Sequence, residues 1–581
     1  MKQLFIYILV ALASINCSKR NALDITPDGR LTLEDVFIDD QQTEAYLNTV
    51  YSSIPSYFFS YINYTFLAGI SDECKDSDVG NLPVNVAALW NSGTLTPSNN
   101  PLDIAGYGYN PNHYVAFWTG IRDANVFLSK IDNANVPVAT KRSRFKAEAR
   151  LLRAFFYWEL IKERGPMPIV EQPFDNTFDY SVLTRPSFQE VVDFIVADCN
   201  AAIENPDLPM RITIGSESDR FTKAVAYAVR SQALLYNASP LWNPTNDPNK
   251  WQSAATAAKE AISVLTANGY KLDANYGNYF LNALNVAAAE TETIYEVPNT
   301  NHINHFALTL ICNIPSKPGW RAGVCPTQEL VDAYDMQATG EPAILGYQDE
   351  EHLQPIINTA SGYDESDPYV GRDPRFYATV WYNGAQYDNV NGAIHTIQTF
   401  IGGTDQLIKN PPNANNTHTG YYLRKFIDPR LPPVANADAA WKKYRLAEIY
   451  LNLAEAENEA NGPTTDAYNA VNTVRNRAQM PDLPPDLTQE QFRERVRNER
   501  RIELVIEEHR MWDVRRWKIL DKTDKLVTGM EITRNPDNTF SYQRFVTERR
   551  NAWQEKYLIL PIPLTDASII PDFSANQNPG W

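Results

Sequence analysis

The chain has 581 residues, with 70 Asp and Glu against 52 Lys and Arg and a formal net charge of −18. An acid excess of this size excludes a general nucleic-acid or polyanion binder, which needs clustered positive charge. Five cysteines without CxxC or other ligand spacing exclude a disulfide-rich scaffold and a sequence-encoded zinc site, and no cofactor or metal is expected.

Met1 and Lys2 give a positive start, Leu4 to Ala13 is unbroken apolar sequence, and Ser14-Ile15-Asn16 leads to Cys17. That run is too short to cross a bilayer and predicts an export signal. Cys17 stands where the acylated first residue of a bacterial lipoprotein belongs; the alternative is a plain secretory signal with a chance cysteine. Lipidation is the reading adopted, with 1–16 as signal peptide and 17–35 as lipidated cysteine and tether. No later run approaches the roughly 20 apolar residues of a membrane span, so the remainder is expected to be soluble and tethered to the membrane.

Paired helices come next. "QTEAYLNTVYSSI" is expected to pair with "FWTGIRDANVFLSKI" across a long insertion, "FKAEARLLRAFFYWELIKERG" with "SFQEVVDFIVADCNAAIE", and "FTKAVAYAVRSQALLYNASPLW" with the Ala-rich "WQSAATAAKEAISVLTANGY". From about Glu290 to Asp438, Pro, Asn, Gly and aromatic residues dominate, and "TIYEV", "FYATVWY" and "IHTIQTF" are strand candidates between turns. The fourth pair follows. Leu446, Ile449, Tyr450 and Leu453 recur at i, i+3, i+4, i+7, Gly462 and Pro463 end that helix, and "TTDAYNAVNTVRNRA" aligns Ala467, Ala470, Val471 and Val474. Repeated helix pairs with Ala at the crossings resemble tetratricopeptide (TPR) units.

In "NERRIELVIEEHRMWDVRRW", His509 and Asp513 could share a helix face, but a zinc HExxH motif needs two histidines. Glu499, Glu503, Glu507 and Arg510 fall at helical intervals and predict a fixed charge network with Arg partners. His302 and His305 have no third ligand nearby. Cys312 and Cys325 either pair across a short loop or stay separate buried thiols. No G-x-S-x-G, Gly-rich phosphate loop or EF-hand loop is present. Several aromatics sit among polar loop residues: Trp90 in "ALWNSGT", Tyr107 in "AGYGYN", and Trp320 beside Arg321 in "SKPGWRAG". A Trp so placed is either covered from afar or exposed to stack on a ligand such as a sugar ring.

In order along the chain, the signal, "FKAEARLLRAFFYWELIKERGPMPIV", "WRAGVCPTQELVDAYDM", "GRDPRFYATVWYNG", "TGYYLRKF", "YRLAEIYLNLAEAENEANG", "NERRIELVIEEHRMWDVRRW" and "YLILPIPLTDASIIPDFSANQNPGW" together resemble the SusD/RagB family of Bacteroidetes nutrient-binding lipoproteins. The resemblance implies a mainly α, SusD-like fold: four TPR-like helical hairpins as scaffold plus an irregular loop-rich lobe with short strands. Residues 36–285 would form an N-terminal region of hairpins, and 286–581 a C-terminal region with the binding lobe, fourth hairpin and charged helix. It implies a non-enzymatic, cell-surface protein anchored to the outer membrane, whose helical side faces a SusC-like TonB-dependent transporter. The ligand would be a glycan, or a peptide as in RagB-like import. By the same resemblance the site would draw on the segments that hold Trp90, Tyr295 and Trp320; Asn91, Tyr107 and Arg321, polar or aromatic loop residues, are added as candidate ligand contacts.

Overall fold

In the computed structural model the first long helix, α1 (Asp40–Tyr51), begins where the Asp39 carboxylate accepts from the Gln42 amide. The structure describes residues 32–55, 57, 66–77, 86–103, 112–213, 215–281, 290–297, 305–317, 319, 321–387, 394–409, 414–431 and 441–581. Helices α2 (His113–Lys130), α3 (Ala139–Arg164), α4 (Phe188–Glu204), α5 (Lys223–Ala238) and α6 (Pro248–Ala267) follow. Three of these starts are written in side chains. Asn112 caps α2, a Ser187–Glu190 capping box opens α4, and Pro248 occupies the first turn of α6 behind the Asp247 cap.

Two short helices, α7 (Tyr276–Tyr279) and α8 (Pro374–Thr379), lie on either side of the irregular lobe's first part. The scaffold then resumes with α9 (Leu446–Asn461), α10 (Thr465–Arg477) and α11 (Gln489–Glu503). The packing order is α1 on α2, α2 on α3, α3 on α4, α4 on α5, α5 on α6, α6 on α9 and α9 on α10. The four expected helix pairs are therefore present, and each also packs on the next. Leu446, Ile449, Ala467, Ala470, Val471 and Val474 are buried as their spacing predicts.

Close approach explains one glycine in this array. A Cβ built at Gly120 of α2 would lie 2.4 Å from the Phe156 ring of α3, so only Gly lets these helices touch there. Charge links neighbours as well: buried Arg153 of α3 grips buried Asp198 of α4 through two hydrogen bonds of 2.8 and 3.0 Å, and Arg230 of α5 reaches the exposed Glu260 of α6 at 2.7 Å. Among the described residues the main apolar core extends from Phe37 to Phe573, with a small second cluster of Met336, Ala343 and Tyr363 in the lobe.

Strand β1 (Thr293–Val297) pairs antiparallel with β2 (Trp441–Arg445), which runs directly into α9. "TIYEV" is thus a strand, but the other two candidates are mostly not. Asp373 caps and Pro374 starts α8, which runs on through Phe376–Thr379 of "FYATVWY" and leaves Val380–Trp381 as its strand portion, and only His395–Thr396 of "IHTIQTF" pairs. The longest sheet is a hairpin the sequence reading passed over, β3 (Leu526–Arg534) with β4 (Phe540–Arg549).

The charged "NERRIELVIEEHRMWDVRRW" segment is not one helix. α11 stops at Glu503, Ile506 and Glu508 have φ of 57° and 63°, and a second helix covers Arg510–Arg516. The predicted network survives the break, because the turn keeps Glu507 and Arg510 facing inward. Cys74, Cys199, Cys312 and Cys325 are all buried free thiols, and burial pushes the Cys312 and Cys325 thiols up to about 12 and about 11. His302 lies outside the described residues.

Candidate functional site

The four proposed site residues that fall among the described residues are interior. Trp90 is 1% exposed, with the Arg515 guanidinium 5.4 Å over its ring and Tyr557 against its edge. Asn91 donates its side-chain amide to the Gly69 carbonyl and to Glu548. Tyr295 stands opposite Tyr444 in the β1–β2 ladder with its ring edge-on to Phe221, and Arg321 is paired with Asp76 at 3.0 Å. None of these aromatic rings offers a free face for stacking. A flanking Gly, Asn or Arg misled here because the apolar cover comes from segments distant in sequence. Tyr107, Trp320 and Cys17 lie outside the described residues.

Cavities in the fold differ in what they can hold. A chamber of about 20 Å³ among Lys162, Lys443, Glu508 and His509 has room for one water. A groove of about 330 Å³ beside α2 is walled by Tyr114, Trp118, Phe174, Tyr180, Ile570 and Phe573; it is apolar and continues into exposed Phe174 and Tyr180. A cleft of about 300 Å³ opens between α7, α8 and the C-terminal end of α10, at the seam of scaffold and lobe. It reaches the lower end of the usual range for small-ligand sites and it alone of the three combines ligand-sized room with many polar groups.

The cleft is assembled locally in a way the sequence explains. Asn275 caps α7 by accepting from the Asn278 amide, which leaves both exposed amide side chains at the rim. Asp373 caps α8 and at the same time holds the Arg375 guanidinium through two oxygens at 3.0 and 2.7 Å. Tyr377 donates its hydroxyl to the Tyr369 carbonyl at 2.7 Å and accepts from the Arg372 amide, so its half-buried ring is fixed along the wall. Arg424 donates to the Tyr377 carbonyl. Gln479 completes the rim from a left-handed turn after α10, with φ of 61°.

Beneath these groups lies the charge network. Arg375 reaches Glu499 at 2.5 Å and Glu503 at 2.9 Å; Arg477 binds Glu503 and Glu292; Arg445 joins Glu292, Glu503 and Glu507. Burial opposes ionisation of Glu503, yet Arg477, Arg445 and Arg375 together hold its carboxyl well below the usual range. Lys425 donates to Tyr276, the Val505 carbonyl and Glu507, and burial pulls its ammonium down to about 8. Tyr276 is clamped from this side, with the Arg477 guanidinium 5.3 Å from its ring. The floor is therefore rigid and the rim polar.

A Ser–His–Asp arrangement also occurs in the lobe. The Ser316 hydroxyl lies 2.9 Å from His395 Nε2, and Asp405 lies 2.8 Å from that same nitrogen. Nucleophilic relay needs serine and carboxylate on opposite ring nitrogens, so this grouping is a loop tie and no relay.

Successive helix pairs carrying an irregular lobe, with a polar cleft where the two meet, define a class of helical-scaffold binding proteins. Residues 283–581 match the SusD family, and residues 61–235 match a family described as starch-binding and associating with outer membrane. SusD-like protein P25 of Formosa agariphila is 35% identical over 464 residues, covering 78% of this chain and 75% of that protein. The chain belongs to the SusD family. Among solved structures, a SusD-like protein from Bacteroides fragilis superimposes with a TM-score of 0.75 at 26% identity, covering 94% of this chain and 98% of that one. A laminarin-binding SusD-like protein gives a TM-score of 0.61 at 23% identity over 94% and 100% of the two chains. The tyrosines, arginines and amides of the cleft come from four segments far apart in sequence. No local motif marks them, although "GRDPRFYATVWYNG" and "TGYYLRKF" contain Arg375, Tyr377 and Arg424 among five of the lining residues.

Proposed function

We propose that the protein is a non-enzymatic, lipid-anchored receptor on the cell surface that captures a glycan and hands it to a SusC-like TonB-dependent transporter. The observation that carries the glycan reading is the cleft: a fixed tyrosine wall beside the Asn275, Asn278 and Gln479 amides and Arg424, over the buried Arg375 and Arg477. A sugar ring stacks its C–H face on an aromatic ring while its hydroxyls seek amide and guanidinium partners. Family membership supports capture at the outer membrane. The apolar groove beside α2 supports a protein partner on the helical side, since exposed apolar surface of this kind marks interaction sites.

Tyr377→Ala and Asn278→Ala test the cleft. Loss of one aromatic contact should weaken glycan binding by roughly tenfold, read by calorimetry against the best ligand from a glycan array. Asn278 is an exposed rim residue, so its variant should keep the unmodified melting temperature. Unchanged affinity in both variants removes the cleft from the site. Purified protein incubated with its ligand polymer should release no new reducing ends. For the anchor, Cys17→Ala should move the protein out of the membrane fraction; retention there, with no lipid mass on the unmodified protein, overturns that assignment.

A further inference from the structure

Apolar surface gathers around the groove beside α2. Phe174 and Phe178 stack with 3.8 Å between ring centroids and Tyr180 stands edge-on to both, while Asp175 and Asp179 tie the turns between them by accepting from the Thr177 and Ser181 amides. Val115, Val182, Leu564 and Ile569 are each more than half exposed, and each lines the groove or stands within two residues of one that does. An aromatic-walled pocket continuing into exposed apolar side chains has the form of a protein-binding hot spot, where a partner's large side chain is desolvated inside a polar rim. The rim here has one sign of charge. Arg122 is paired with Asp123 at 2.9 Å, Arg164 is buried against Tyr114 and paired with Asp103, and Arg185 spends its guanidinium on the Pro166 and Arg164 carbonyls and on Asn578. Asp566 lines the groove and Glu171, Asp175 and Asp179 directly adjoin the lining residues Val170, Phe174 and Tyr180, none of the four being in an ion pair among the described residues. Hydrogen bonds from Thr177 and Ser181 hold the Asp175 and Asp179 carboxyls below their usual range, so both are charged at neutral pH.

We infer that the groove beside α2 docks a protein partner through a segment whose apolar anchor side chains enter between Trp118, Phe174 and Tyr180 and whose flanking Lys or Arg residues meet the carboxylates of the rim. This rests on the helical side meeting a protein partner, and it is independent of the glycan cleft. The apolar anchors supply the hold, since the groove wall is largely aromatic and aliphatic. The basic flanks set orientation and speed of encounter and exclude acidic segments, which would bring like charges together.

The test uses the intact protein and two synthetic peptides in calorimetry, one with a Trp-Leu-Trp centre flanked by lysines and one with the same centre flanked by glutamates. The lysine peptide should bind about tenfold or more tighter, and the difference should shrink as salt is raised. Val115→Asp should weaken its binding by about tenfold or more while the melting temperature holds, because Val115 is exposed in the first turn of α2, where a carboxylate is tolerated. Asp175→Asn together with Asp179→Asn keeps the turn-capping oxygens and should bring the two peptides toward equal affinity. Equal affinity in the unmodified protein, no binding of either peptide, or binding indifferent to Val115→Asp overturns the inference. A dimer in sedimentation that Val115→Asp dissolves gives the groove to a second copy and overturns it as well. Co-purification with a co-expressed SusC-like transporter tests that partner separately: if the peptide results hold but transporter retention is the same with Val115→Asp, the groove stands and the transporter docks elsewhere.

Discussion

Glu508 has φ of 63° and a buried carboxyl beside Lys443 and Lys162. Burial pushes it up to about 8, the two lysines opposing. The folded protein thus keeps a proton there that an unfolded chain, with an ordinary carboxyl near 4.5, gives up. Its contribution to stability is fully present below about pH 4.5 and is lost as the pH rises through about 8. Glu508→Gln should remove this slope: its melting temperature should equal or trail the unmodified protein's near pH 5 and exceed it near pH 9. Parallel curves would contradict the assignment. Trp90 gives a second test at this scale. Packed under Arg515 and Tyr557, it should behave as core on truncation, with Trp90→Ala losing roughly 3 to 5 kcal/mol in chemical denaturation; a loss below about 1 kcal/mol would return it to the surface.

Among the elements, two glycines should fail for different reasons. Gly120→Ala drives a methyl into Phe156 and should lose about 1 to 3 kcal/mol by overpacking. Gly462, which ends α9 with φ of 84° and ψ of −176°, has open space around its Cβ position. Gly462→Ala should lose about 1 to 3 kcal/mol through backbone strain alone. Adding Phe156→Leu should recover part of the first loss and none of the second in a double-mutant comparison. The helix pairs were legible because each carries its own period and its own caps, as in Ser187–Glu190 and Gly462. Glu499 and Glu503 were legible as network members, since spacing alone puts them on one face. The end of α11 was not, because nothing local announces positive φ at Ile506 and Glu508. The β3–β4 hairpin had a readable signal in Asn535-Pro536-Asp537-Asn538 between β-branched and aromatic runs. Trp90 and Tyr295 defeated the reading for another reason: whether a loop aromatic is exposed depends on what folds over it.

The whole molecule is held by carboxylates that fold into arginine and lysine partners. Glu159, beside Lys162 and Lys443, and Glu455, gripped by Arg516, are both held down to about 2 against the pull of burial. Glu499 and Glu503 are lowered as well. The sign is opposite to that of Glu508: stability is present above about pH 4.5 and lost as the pH falls toward 2. Acid should therefore unfold the protein cooperatively between about pH 4 and 2, and Glu455→Gln, already destabilised at neutral pH, should show a shallower acid slope. A midpoint unchanged by acid would refute this. The same network is the floor of the cleft, and that has a consequence for how the protein can change over generations. Asn278 and Gln479 are exposed rim side chains, whereas Arg375, Arg477 and Glu503 join helix, lobe and strand at once. Drift at the rim can retarget the receptor to a new ligand in single steps, while the floor is held in place by the need to fold, so recognition can diversify on a base that inheritance leaves alone.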